Sequence, residues 1–219
     1  MERTHQESPT NPLRSRVLTA GPDLLLATVY LVTWISPRLF GDDTVQYLLF
    51  LILFEFIILH SASVLAAVLL GGFGDKKGTG CLVTISLFYL IFAVGFSFVI
   101  KAWWPVVAIV GLTFNRVQTL WKHPREDRRT RTHVIVTWGL TFGFYFFLFI
   151  AVNLIPWPRL GIDDAIVDAL LAQGSGSMVE APQTSLALGL IYYGGIGLAE
   201  WLGLFNKATD RISGLFSGW

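Results

Sequence analysis

The chain has 219 residues, 53% hydrophobic and only 14% charged, where an ordinary soluble domain carries roughly 25% charge. Its mean hydropathy is +0.60 and its formal net charge +1, a balance that suits a bilayer and gives no reason to expect a nucleic-acid partner. The single cysteine, Cys81, excludes an internal disulfide and any thiolate-rich metal cluster.

A hydrocarbon layer about 30 Å thick takes about 20 mostly apolar residues at 1.5 Å each, and six windows are read as spans. The first, 23–40, is interrupted by Pro37 and Arg38. Arg14 and Arg16 precede it and no small-residue cleavage motif follows, as in an uncleaved signal anchor. The second, 44–70, holds Glu55 as its only charge, and the third, 80–100, has none. The fourth, 102–121, contains Arg116, which with Asn115 and Gln118 makes one end polar. The loop that follows, KHPREDRRTRT at 122–132, is strongly basic, and its expected partners are the anionic lipid headgroups. After the fifth span, 133–155, the stretch from Asp163 to Gln173 reads as a short external surface helix. Asp163 or Asp164 would cap it, Ile166, Val167, Leu170 and Leu171 form its apolar side, and Gly174 stops it before a GSGSM hinge. Asp164 and Asp168 share a face, which reads as solvated helix-start acids rather than a cation site. The sixth span, 184–205, holds Glu200. In the tail, Ile212, Leu215, Phe216 and Trp219 recur at helical spacing and predict an interfacial helix on the cytoplasmic leaflet.

The predicted fold is therefore all-α: a single integral membrane domain over 1–219, with six transmembrane helices and both termini cytoplasmic. Of the 16 Lys and Arg residues this topology gathers 13 on the cytoplasmic side and leaves Arg38, Lys101 and Arg159 outside. The tryptophans agree, with Trp34, Trp103, Trp104 and Trp157 near outer ends and Trp121, Trp201 and Trp219 near inner ones. The expected setting is a bacterial-type inner, or plasma, membrane.

Ionisable residues inside such spans carry the functional question. At about 100° per residue, Glu55 and His60 fall about 140° apart on the second span, beside Ala62, Ser63, Ala66 and Ala67. Phe50, Phe54, Ile57, Leu65 and Val68 occupy the opposite arc, which is expected to meet lipid. A mid-span carboxylate without partners is costly, so Glu55 is expected to be neutral or held by Tyr, Ser or Thr groups of neighbouring spans. Glu200 and Arg116 lie at matching depth and suit an ion pair, with snorkelling of Arg116 as the alternative. Gly139 and Gly143 form a G-x-x-x-G spacing, and with Gly189, Gly194, Gly195 and Gly197 they predict close packing between the fifth and sixth spans or against a symmetry mate.

Spacing dismisses several chemistries. His60 has no histidine at its own depth to share a haem, Lys101 is too near an outer end for a Schiff base, and Ser175 has no histidine on its side to activate it. Glu55, His60 and Glu200 suit a divalent ion in ligand type, but their spacing singles out neither a metal nor a cofactor. The reading that remains first is a non-catalytic subunit or scaffold of a membrane complex, with a protein partner or homo-oligomer and a buried Glu/His/Arg network. The alternative is a proton- or cation-linked carrier or channel using Glu55 and His60, and a membrane enzyme is the weaker third.

Overall fold

A computed structural model describes residues 12–70, 75–99, 101, 103, 105–107, 109–111, 128–172 and 176–216. Among these, all regular structure is helical: α1 (Pro12–Ile35), α2 (Thr44–Leu70), α3 (Asp75–Val99), α4 (Arg128–Leu154), α5 (Asp164–Leu171), α6 (Ser177–Glu180), α7 (Pro182–Trp201) and α8 (Leu204–Phe216). Two stretches, Arg16–Ile35 and Val136–Leu154, are long and apolar enough to cross a membrane. α7 and α8 meet that test only as a pair, bent by 67°, while Thr44–Leu59 and Ser86–Phe98 are shorter apolar helices.

The first helix corrects the expected span at 23–40. It begins at Pro12, carries Pro22 inside it and ends at Ile35. Ser36 precedes Pro37, and steric conflict with the proline ring turns the preceding residue away from helical geometry, so the chain leaves the helix there. Gly41, at φ +125°, completes the turn into α2, whose bounds match the expected 44–70. α3 starts five residues before the expected 80. The fourth span and the start of the basic loop lie outside the described residues, save 103, 105–107 and 109–111, and the rest of that loop, from Arg128, forms the first turn of α4.

α5 is capped by Asp163, whose carboxylate accepts from the Ile166 N–H at 3.0 Å, and it ends at Ala172, before the expected glycine stop. Val167 and Leu170 are its buried side; Leu171 is exposed. Of the expected hinge, 174 and 175 lie outside the described residues, and α6 begins at Ser177. Pro182 opens α7 at a position where a missing N–H costs nothing. The expected sixth span to 205 breaks at Trp201, and Gly203, at φ +65°, turns the chain into α8. That last helix is not free along its length: it packs on α4, with Phe205 and Thr209 buried.

α1 and α7 run antiparallel and form the closest helix pair, since Tyr30 lies against Gly189 and Leu24 against Gly197. α2 sits between two cores. On one side Val45, Leu48, Leu49, Ile52 and Leu59 pack with residues of α1, α4 and α7. On the other Phe54 and Ile57, expected to meet lipid, are buried against Tyr89 and Ala93 of α3 and Ile109. Large apolar side chains suit lipid and a helix interface equally, so the arc alone does not distinguish them.

A clasp closes the end of the bundle near α5. The Trp34 indole donates to the Pro158 carbonyl at 3.0 Å, and the Gly161 N–H donates to the Trp34 carbonyl at 3.0 Å. A Cβ on Gly161 would meet the Ile35 backbone, with its carbonyl carbon 2.8 Å away, so only glycine permits this approach. Trp157 meets Trp34 edge-on at 5.9 Å, and Arg38 pairs with Asp163 at 2.9 Å. Asp164 pairs with Arg159.

Candidate functional site at Glu55

Glu55 is eleven residues into α2, about 16 Å from its start, and Tyr192 and Tyr193 are ten and eleven residues into α7, about 15 Å along. With α2 and α7 both antiparallel to α1, carboxyl and phenols come to one level of the bundle. The Tyr192 hydroxyl donates to Glu55 Oε1 at 3.1 Å and the Tyr193 hydroxyl to Oε2 at 3.4 Å. Two more phenols close the group. Tyr30 of α1 donates to the Leu48 carbonyl at 2.7 Å, and Tyr145 of α4 donates to the Ile52 carbonyl at 2.8 Å. Leu48, Ile52 and Glu55 succeed one another at helical spacing on one stripe of α2. The rings support each other: Tyr30 stacks on Tyr193 at 5.7 Å, Tyr192 meets Tyr193 at 5.0 Å, and Tyr145 meets Tyr192 at 5.2 Å.

A phenol has one hydrogen to donate. All four are used, two on the carboxyl and two on the backbone of α2. Those backbone carbonyls keep a second lone pair for their helical bonds, so the phenols add to the helix rather than compete with it. Gly189 makes room for Tyr30, and the Gly195 backbone lies against the Phe144 ring, 2.7 Å from where a Cβ would stand. Bare backbone at these positions lets the phenols reach α2.

The other expected residues are distributed as follows. His60 and Ser63 belong to α2 by their backbone, and their side chains lie outside the described residues, as do Asn115 and Arg116 entirely. The expected Glu200–Arg116 pair therefore falls outside as well. Glu200 is eight residues beyond Tyr192, about 12 Å along α7, and so is not brought to Glu55. Its Oε2 is buried and has no hydrogen-bond partner among the described residues. Gly197 packs on Leu24 and Gly194 approaches Ala27, both at the α1 interface, while the expected contact with the fifth segment is made by Gly195 against Phe144. Gly139 and Gly143 have nothing within 4 Å of a Cβ position and are exposed. Asp164 is paired with Arg159, and among the described residues no group of three or more acids, histidines or cysteines gathers.

Sequence reasoning missed Asp23 and the four tyrosines. Asp23 marks the expected start of a span; with α1 running back to Pro12 it lies well inside the helix, beside Leu24, which packs on Gly197, one turn of α7 from Glu200. The signal was available: twenty residues counted from Arg16 end at Ile35 and enclose Asp23. The tyrosine signal was the pair Tyr192–Tyr193 at mid-span, an unusual place for two phenols, which favour interfaces.

Chemically, a carboxyl between two phenols joins helices, and each bond is also a contact across which a proton can pass. Thr33 and Ser185 add buried hydroxyls without partners among the described residues, at the end of α1 and the start of α7. Comparison of the chain with protein-family models, characterised proteins and solved structures yields no match.

Proposed function

We propose that this chain is a six-span integral membrane protein with both termini in the cytoplasm, serving as a non-catalytic subunit or scaffold of a membrane complex. The observation that carries the reading is the use of every described phenol around Glu55 in joining helices, so that α1, α4 and α7 are all tied to α2. A carboxyl so occupied fixes register, and a group fixing register need not turn over. The outer face of α4 supports a partner: Gly139 and Gly143 stand open beside exposed Leu140, Phe146, Phe147 and Ile150. The basic residues of 122–132 favour the cytoplasmic placement and anionic headgroups. Purification of the full chain in mild detergent tests this, with a stoichiometric partner or a homo-oligomer as the expected result and a monodisperse single chain as the contrary one. Reporter fusions after Gly74 and Arg129 should report cytoplasm and one at Gly176 the outside; an outside signal at Arg129 overturns the topology.

The carrier reading keeps one observation in its favour, the buried and unpartnered Oε2 of Glu200 on the same helix as the two phenols that bind Glu55. Proton flux in proteoliposomes that is lost in Glu55→Gln with thermal stability retained would select it over the scaffold.

A further inference from the structure

Where the clasp closes the bundle, a hollow of about 180 Å³ opens between the α1–α2 turn, the first turn of α2 and the flank of α5. That is room for about six water molecules at 30 Å³ each. Its floor is apolar: Pro37, Val45 and Leu170 are buried side chains, with Ile166 beside them. Ala165 and Ala169 on α5 leave the space that larger residues would fill. The rim is charged. Arg38 is already neutralised by Asp163 at 2.9 Å, whereas neither Asp42 nor Asp43 forms an ion pair among the described residues. The lining therefore carries two carboxylates without an ion pair among the described residues, against the one guanidinium of Arg38, over a largely apolar floor, and this net negative rim asks for a cation with an apolar body.

We propose that this hollow binds a primary ammonium group carried on a short alkyl chain. A hard metal ion is a poor occupant, because calcium wants six to eight oxygens and the floor offers carbon. A quaternary ammonium is a poor occupant as well, since no aromatic ring lines the hollow to receive its charge. A primary ammonium brings three N–H donors to two carboxylates, as charge-assisted hydrogen bonds, and its alkyl chain covers Val45 and Leu170. The group arrives either as a soluble amine or as the ethanolamine headgroup of a phospholipid, which share this chemistry. The inference stands apart from the scaffold reading, and no residue of the Glu55 cluster takes part.

The test is calorimetric titration of the full chain in non-ionic detergent with n-butylamine, n-butanol and choline. Butylamine is expected to bind saturably and at least about tenfold more tightly than the other two, the ratio that one charge-assisted bond supplies. The double variant Asp42→Asn, Asp43→Asn should weaken butylamine about tenfold. Ala169→Leu fills the hollow without touching a charge and should abolish binding, while Asp168→Asn, outside the lining, should leave it intact. Equal affinity for butylamine and butanol overturns the proposal, as does unchanged binding in Ala169→Leu if the acid variant fails to fold. In phosphatidylglycerol nanodiscs, added phosphatidylethanolamine that displaces butylamine identifies the headgroup as the source. Undiminished butylamine binding in those discs identifies a soluble amine, and either result keeps the ligand class.

Discussion

Gly189→Ala tests how the site is held open. The Cβ it introduces meets the ring of Tyr30 at three of its carbons, well inside contact distance, and that ring has no slack. Tyr30 is fully buried, stacked on Tyr193 at 5.7 Å and anchored through its hydroxyl to the Leu48 carbonyl at 2.7 Å. Forcing a methyl into such packing costs about 1–3 kcal/mol, and pulling the hydroxyl from its carbonyl costs about 0.5–1.5 kcal/mol more. Alanine's better helix propensity returns about 1 kcal/mol. The balance is a loss of about 0.5–3.5 kcal/mol, which for a chain of this size lowers Tm by roughly 1–14 °C. Thermal unfolding in detergent reads it directly. In a Tyr30→Ala background the same substitution should become neutral or stabilising, because the obstructing ring is gone and only the propensity gain remains. Gly189→Ala with an unchanged or raised Tm while Tyr30 is intact, or strict additivity with Tyr30→Ala, would refute the account.

Tyr192→Phe strips Glu55 Oε1 of its donor at 3.1 Å and should cost about 1–3 kcal/mol, more than Tyr193→Phe, whose bond is 3.4 Å; the reverse order in thermal unfolding would mean that packing, not the carboxyl, sets the cost. Gly143→Leu should leave the stability of the detergent-dispersed single chain unchanged, since nothing faces that position, and a fall in its Tm would expose an intrachain neighbour. Asp163→Ala removes the α5 cap, worth about 1 kcal/mol, and should speed amide hydrogen exchange over Ile166 to Leu171. Arg38→Ala should do much less, because that ion pair leaves both side chains about half exposed; equal acceleration in the two variants would transfer the credit from cap to pair.

Legibility in the sequence varied with the kind of signal. The bounds of α2 were readable because polar turn residues flank an unbroken apolar run. α1 is displaced from the expected 23–40 because Pro22 lies inside the helix without ending it and Pro37 stops it at Ile35. That displacement hid Asp23. The hydroxyl partners of Glu55 could be anticipated by type but not by position, because a helical wheel ranks faces within one helix and is silent on which other helix faces it. The glycines make the same point. Both glycine sets mark where backbones are able to approach, but among the described residues Gly189, Gly195 and Gly197 meet side chains of other helices while Gly139 and Gly143 do not. The break at Gly203 was unreadable from hydropathy, since Leu202, Leu204 and Phe205 keep the apolar run going across it.

The antiparallel pairing of α1 with α7 has a consequence in time. The helix α1 has its most extensive neighbour in a segment that begins only at Pro182. At synthesis rates of about 5–20 residues per second, the chain between Ile35 and Pro182 takes roughly 7–30 s to emerge. Throughout that interval Gly189, Gly194 and Gly197 do not yet exist to receive Tyr30, Ala27 and Leu24, and the flank of α1 that will hold them stays uncovered. The α1 side of the bundle is thus closed by a late helix, and the Glu55 carboxyl, whose two phenols arrive on that same helix, waits for both until then.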